Sequence, residues 1–141
     1  MPGTESLKSL HTVLIDAEKG YETAIADAQA PDMKAIFERM AALHAKAHSD
    51  VHALLLAKGE RPDENGSFLS VVHKTVISIR SAVKGLDRSS LPSFADGDER
   101  ILGAFDRAIE DAGAADPAVE TLRRDREALA AAIAELKAKA A

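Results

Sequence analysis

The residues able to do chemistry in this chain are histidines and carboxylates that interrupt apolar helical stripes. His44, His48 and His52 follow one another at steps of four. Two His at i and i+4 project from the same side of a helix and can share one metal ion. The glutamate of a His-Glu-x-x-His arrangement is missing, so the same spacing also fits a hydrogen-bonded core His with two surface neighbours. Phased at about 100° per residue, His44 falls inside the apolar stripe, His48 at its edge and His52 further out. On an earlier segment, His11 and Glu18 share one shoulder of a stripe that contains Tyr21. Counting back through the short connection places Glu18 level with His44, and His11 level with His48. Inward Glu and His from adjacent helices are the usual ligands of iron, manganese or zinc. A later segment adds Asp98, on the stripe of Ile101 and Phe105. Its place near a helix start would favour a carboxylate there for capping alone. The candidate metal set is therefore Glu18, His44, His48 and Asp98, with His11 as an outer member. Asp125 and Arg126 lie between Leu122 and Leu129, where a charged pair reads as an interhelical salt bridge or an oligomer contact.

These residues need helices to hold them, and the sequence supplies five helical segments. The first runs from about Glu5, after Thr4 as N-cap, to Ala28, with Leu7, Leu10, Leu14, Ala17, Tyr21, Ala24 and Ile25 on one face. Pro31 and Asp32 start the second, which carries Met33, Ile36, Phe37, Met40, Leu43, Ala47, Val51, Leu54 and Leu55 and ends at Gly59. So short a connection makes the two antiparallel. Ser67 caps a third segment reaching Gly85, with His73 and Arg80 on one shoulder. Residues Asp87 to Gly97, rich in Ser, Pro and Gly, read as an irregular linker. A fourth helix then carries Ile101, Leu102, Phe105, Ile109 and Ala112 and stops at Gly113. Asp116 and Pro117 open a fifth with Val119, Leu122, Leu129, Ile133 and Leu136.

Composition narrows the class. Apolar residues make up 46% of the 141-residue chain and aromatics only 4%, which points to a single all-α domain over residues 1–141, packed through Ala, Leu, Ile and Val. The formal charge of −5 is spread without a basic stripe, which argues against nucleic-acid binding. With no Cys, disulfides, thiolate catalysis and Fe–S clusters are excluded. Apolar runs such as Ala53 to Ala57 are far too short to cross a bilayer. The N-terminus lacks the pattern of a signal peptide, so the expectation is a cytoplasmic protein. Neither a Ser–His–Asp context nor a phosphate-cradling glycine loop is present. The His-x-x-Lys-Gly spacing of phosphotransfer bundles is absent too.

Several short motifs, taken in order, resemble an uncharacterised bacterial family of ferritin-like four-helix-bundle proteins, a domain of unknown function. Asp16-Ala17-Glu18-Lys19-Gly20-Tyr21 is similar to its Asp-Gly-x-x-Gly-Tyr. The Gly59, Pro62, Gly66-Ser67 loop with His73-Lys74 is similar to its Gly-Ser…His-Arg stretch, and Gly97-Asp98-Glu99 with Phe105 to its Gly-Glu-Asp…Tyr segment. The resemblance implies a ferritin-like antiparallel bundle of two helical hairpins, with the third segment as a crossover helix. It also implies a further Glu where this chain has Ala95, and a His-Asp pair where it has Ala132-Ile133. A full ferritin-type centre needs Glu-x-x-His on two helices, and no Glu-x-x-His occurs in the chain.

Two functions follow as expectations. The first, given the greater weight, is a bundle without enzymatic activity and without a cofactor, acting through a protein partner or as a homodimer, in a stress response. The second is a metal-binding or redox protein with a partial iron, manganese or zinc site in the bundle core.

Overall fold

The computed structural model describes residues 4–28, 30–62 and 88–140. Among them are four α-helices and no β-strand: α1 (Glu5–Asp27), α2 (Pro31–Ala57), α3 (Leu91–Ala112) and α4 (Ala118–Ala140), with a 3₁₀ turn at Arg88–Ser90 leading into α3. The expected helix between Ser67 and Gly85, with His73, Arg80 and the Gly66-Ser67 motif, lies outside the described residues.

The apolar stripes become the core. Leu10, Leu14, Phe37, Val51, Leu55, Leu91, Phe105 and Leu122 are completely or almost completely removed from solvent. Each buried Leu or Phe contributes roughly 1.5–3 kcal/mol relative to exposure. Helix ends fall where the punctuation puts them. Past α2, Gly59 takes a φ of 82°, its N–H donating to the Leu56 carbonyl and that of Glu60 to Leu55. This is the double closure of a Schellman motif, which needs a left-handed residue at the glycine. At α4 the Asp116 carboxylate accepts the Ala118 N–H at 2.9 Å, which caps the new helix. Thr4 sits at the N-cap of α1 but its hydroxyl makes no capping bond.

One boundary differs from expectation. The Ser/Pro/Gly-rich stretch read as a linker is helical from Leu91 onward. Pro92 falls in the first turn, where its missing N–H costs nothing, and Leu91 and Ala95 are fully buried. Two core anchors outweigh the poor propensity of Ser93 and Gly97. Asp98 consequently lies two turns inside α3, away from any cap.

Helix directions follow from the pairs that cross between them. Lys8–Glu60 and Glu18–His48 run oppositely along α1 and beyond the end of α2. Ser6–Asp111 and Tyr21–Asp98 do so for α1 and α3, Arg126–Asp106 and Lys137–Glu99 for α3 and α4, and Arg39–Glu135 and Lys46–Asp125 for α2 and α4. All four neighbouring pairs are antiparallel. So α2 and α3 occupy one diagonal and run parallel, with the end of α2 and the start of α3 at opposite ends of the bundle. The α2–α4 seam packs more loosely than the α1–α2 or α3–α4 seam. It leaves a groove of about 320 Å³ lined by Ile36, Met40, Leu43, Ala132 and Leu136, with Arg39 and Glu135 at its rim.

Candidate functional site

Two polar groups sit one helical turn apart along α1 and α2. The first is entirely inside the bundle. His44 is fully buried and Asp98 is 3% exposed. His44 Nδ1 lies 2.6 Å from the Met40 carbonyl oxygen, which can only accept, so that nitrogen carries a proton. Its Nε2 lies 3.0 Å from Asp98 Oδ1. With an acceptor at each nitrogen, the ring is an imidazolium. The other carboxylate oxygen, Oδ2, accepts the Tyr21 hydroxyl at 2.6 Å. Desolvation is the largest single influence on His44 and works against the charge. The hydrogen bond and charge of Asp98, the Met40 carbonyl and the charge of Glu18 together outweigh it and raise the pKa. Tyr21 is pushed well above the usual phenol range, first by burial and then by the Asp98 charge and hydrogen bond. Its ring rests on Phe94 and His44, with centroids at 5.2 and 5.0 Å. Every polar atom of the Tyr21–Asp98–His44 set thus has a partner within it or on the Met40 backbone.

The second group lies in the seam between α1 and α2. His11 is 2% exposed, while His48 and His52 are half-buried. His11 Nε2 and His52 Nδ1 are 3.2 Å apart. His48 sets its ring edge-on to His11, with centroids at 4.9 Å, and its Nδ1 is 3.1 Å from Glu18 Oε1. One ligand atom from each of the three rings falls within 4.8 Å of the others, and among the described residues this is the one set of three His or carboxylate side chains so gathered.

The expected residues are therefore distributed over two groups. His44 joins Asp98, Glu18 joins His48, and His11 meets His52 as well as His48. The levels are shifted by one turn from the count made along the sequence: Glu18 pairs with His48 rather than His44, and His11 hydrogen-bonds His52. His52, read as lying outside the stripe, is a full member. Its signal was present in the sequence, since His48 and His52 share a face at i and i+4.

At the α2–α4 seam, Asp125 is 5% exposed and its Oδ1 lies 3.4 Å from Lys46 Nζ. Burial, then the hydrogen bond and charge of Asp50, push its carboxyl up to about 6. Arg126 turns the other way and pairs with Asp106 through Nε at 2.6 Å.

The family model for the domain of unknown function DUF2383 matches residues 3–111, and the chain belongs to that family. The matched stretch includes every residue of both polar groups and ends at Asp111, before α4. No curated protein and no solved structure matches the chain.

Proposed function

We propose that this protein is a ferritin-like bundle that binds a divalent transition metal in the α1–α2 seam through His11, His48 and His52, and that it works by binding rather than by turnover. The observation that carries the reading is the convergence of three imidazoles, one nearly fully buried, within 4.8 Å of one another. The His11–His52 and Glu18–His48 contacts already hold these rings at one place in the seam, and a metal ion bound there would add its coordination free energy to the fold. The ferritin-like assignment is supported by the antiparallel neighbours and the parallel α2–α3 diagonal.

A carboxylate-bridged centre of the ferritin type does not fit these residues. No Glu-x-x-His occurs in the chain, and both ring nitrogens of His44 and both oxygens of Asp98 are already engaged with each other, with Tyr21 or with Met40. The groove along α2 and α4 is lined by none of the residues of either polar group.

Metal content by elemental mass spectrometry on untagged protein tests the reading. Near-stoichiometric zinc, iron or manganese lost in His52→Ala and retained in Asp98→Asn supports the three-His site. Loss in Asp98→Asn with retention in His52→Ala would instead place the ion on Glu18, His44, His48 and Asp98. Protein that stays metal-free after incubation with all three ions would end the proposal.

A homodimer is a second reading, supported by the exposed small residues Ala128, Ala131, Ala134 and Ala138 along α4, where a second copy could approach closely. Sedimentation equilibrium reports it directly. A protein partner, a stress-related role and a cytoplasmic location complete the proposal. Among the described residues no helix is long and apolar enough to cross a membrane.

A further inference from the structure

The three-His arrangement also bears on which ion it takes, an inference that rests on the metal-binding reading above. We infer that the site is an all-nitrogen one for zinc-class ions (Zn²⁺, Co²⁺, Ni²⁺, Cu²⁺), with Glu18 positioning His48 and solvent completing the shell, and that it discriminates against Mn²⁺ and Mg²⁺.

The geometry carries this in three steps. First, the 3.2 Å between His11 Nε2 and His52 Nδ1 is close to the separation of about 3.3 Å that two ligands of a tetrahedral ion adopt at 2.0–2.1 Å from the metal. The same distance serves a neutral N–H···N hydrogen bond without the ion, so the pair is held at ligand spacing in either state. Second, Glu18 engages His48 at Nδ1. With Nδ1 on the carboxylate, His48 would bind a metal through Nε2, and a carboxylate on the far nitrogen fixes the tautomer and raises ligand basicity. Glu18 is accordingly an outer-sphere carboxylate. The three metal-facing atoms are imidazole nitrogens. Third, a shell of imidazoles without carboxylate suits Zn, Ni and Cu, whereas Mn and Mg favour oxygen donors. Half-exposed His48 and His52 give both the freedom to close on the ion and access for a water at the fourth position.

The test titrates untagged full-length protein with Co²⁺, follows its visible d–d absorption, and then competes with Zn²⁺ and Mn²⁺. The inference expects one Co²⁺ per chain with the intense spectrum of a four-coordinate ion. Stoichiometric Zn²⁺ should displace it, and a roughly hundred-fold excess of Mn²⁺ should fail to do so. His52→Ala and His48→Ala, at half-exposed positions and checked for helicity by circular dichroism, abolish the spectrum. Glu18→Gln still accepts from the His48 N–H and binds within a few-fold of wild type, while Glu18→Ala weakens binding about 10–100-fold. Ready displacement by Mn²⁺, or loss of binding in Glu18→Gln, would make Glu18 a direct ligand. Either result overturns the inference and leaves metal binding standing. Absence of any ion from wild-type protein removes both.

Discussion

Replacing Asp98 by Asn tests the buried charge directly, because the new side chain has nearly the same shape and reverses one hydrogen bond. Asp98 accepts from Tyr21 at 2.6 Å and from His44 at 3.0 Å. Truncation to Ala removes both bonds and strands a buried cation, at a cost of about 3–5 kcal/mol. That is a large share of the roughly 5–15 kcal/mol total stability of a domain. Asn keeps both contacts if His44 gives up its Nε2 proton. Its carbonyl then accepts from Tyr21 and its amide donates to the neutral ring, so the expected loss is about 2 kcal/mol or less.

The pH dependence separates the two states. In wild type His44 has a folded pKa raised above 6.5. Its contribution is fully present below pH 6.5 and is lost as pH rises through the folded value. In Asp98→Asn the folded ring stays neutral, so the unfolded chain binds more protons below about pH 6.5 and stability rises with pH there. The wild-type advantage should therefore shrink as pH increases from about 5.5 to 8, by at most about 1.4 kcal/mol per pH unit. Urea unfolding followed by far-ultraviolet circular dichroism, at fixed m-value, measures that difference. A pH-independent difference would refute the imidazolium assignment. So would an Asp98→Asn protein in which both His44 ring nitrogens remain protonated by ¹⁵N NMR.

Two further expectations concern stability. Asp125, buried beside Asp50 with its carboxyl raised to about 6, favours the protonated form in the fold, so stability falls as pH rises from its ordinary 3.8 through that value. Asp125→Asn should match wild type near pH 4 and exceed it at pH 7.5 by about 1–2 kcal/mol, and a variant less stable than wild type at the higher pH would show that the Lys46 contact dominates. Glycines at different places should respond with opposite sign in thermal melts. Gly59→Ala, at a φ of 82°, loses about 1 kcal/mol to left-handed backbone, whereas Gly97→Ala, in open space inside α3, gains about 0.5–1 kcal/mol.

Much of the helical frame could be read from the residues because each stripe is a run of apolar side chains at steps of three and four, and among the described residues most of them are buried where the stripe placed them. Pro31, Gly59, Gly113 and Asp116 mark ends that local chemistry alone enforces. The start of α3 was not legible, since Ser93 and Gly97 argue against helix locally and only the burial of Leu91 and Ala95 overrides them. The one-turn error in matching α1 to α2 has a cause of the same kind. Side chains lean toward the N-terminus of their own helix, so in an antiparallel pair they lean toward opposite ends. Partners then meet at higher residue numbers than a count of backbone levels gives, which moves Glu18 from His44 to His48. The same shift brings His52 to His11, a contact that phasing each helix separately could not show.

That shift decides which polar group is available to a ligand. Had Glu18 met His44, the carboxylates and the most buried imidazole would form a single inward cluster with the composition of a carboxylate metal centre. Instead Asp98, arriving from α3, neutralises His44 and takes the Tyr21 proton donor, so the inner group carries no net charge and its imidazole has no nitrogen lone pair to offer a metal. Glu18 is left with His11, His48 and His52. A dication entering among His11, His48 and His52 would meet one uncompensated carboxylate at the far side of His48. The neutral His44–Asp98 pair, one turn away, would repel it far less than an isolated imidazolium would. The inner group therefore serves the outer one without touching it. Asp98 keeps a buried cation from opposing the ion, which predicts that Asp98→Asn, with His44 neutral, leaves Co²⁺ affinity nearly unchanged. Asp98→Ala, if its His44 remains charged, should weaken it. Equal, large losses in both variants would mean that Asp98 itself reaches the metal.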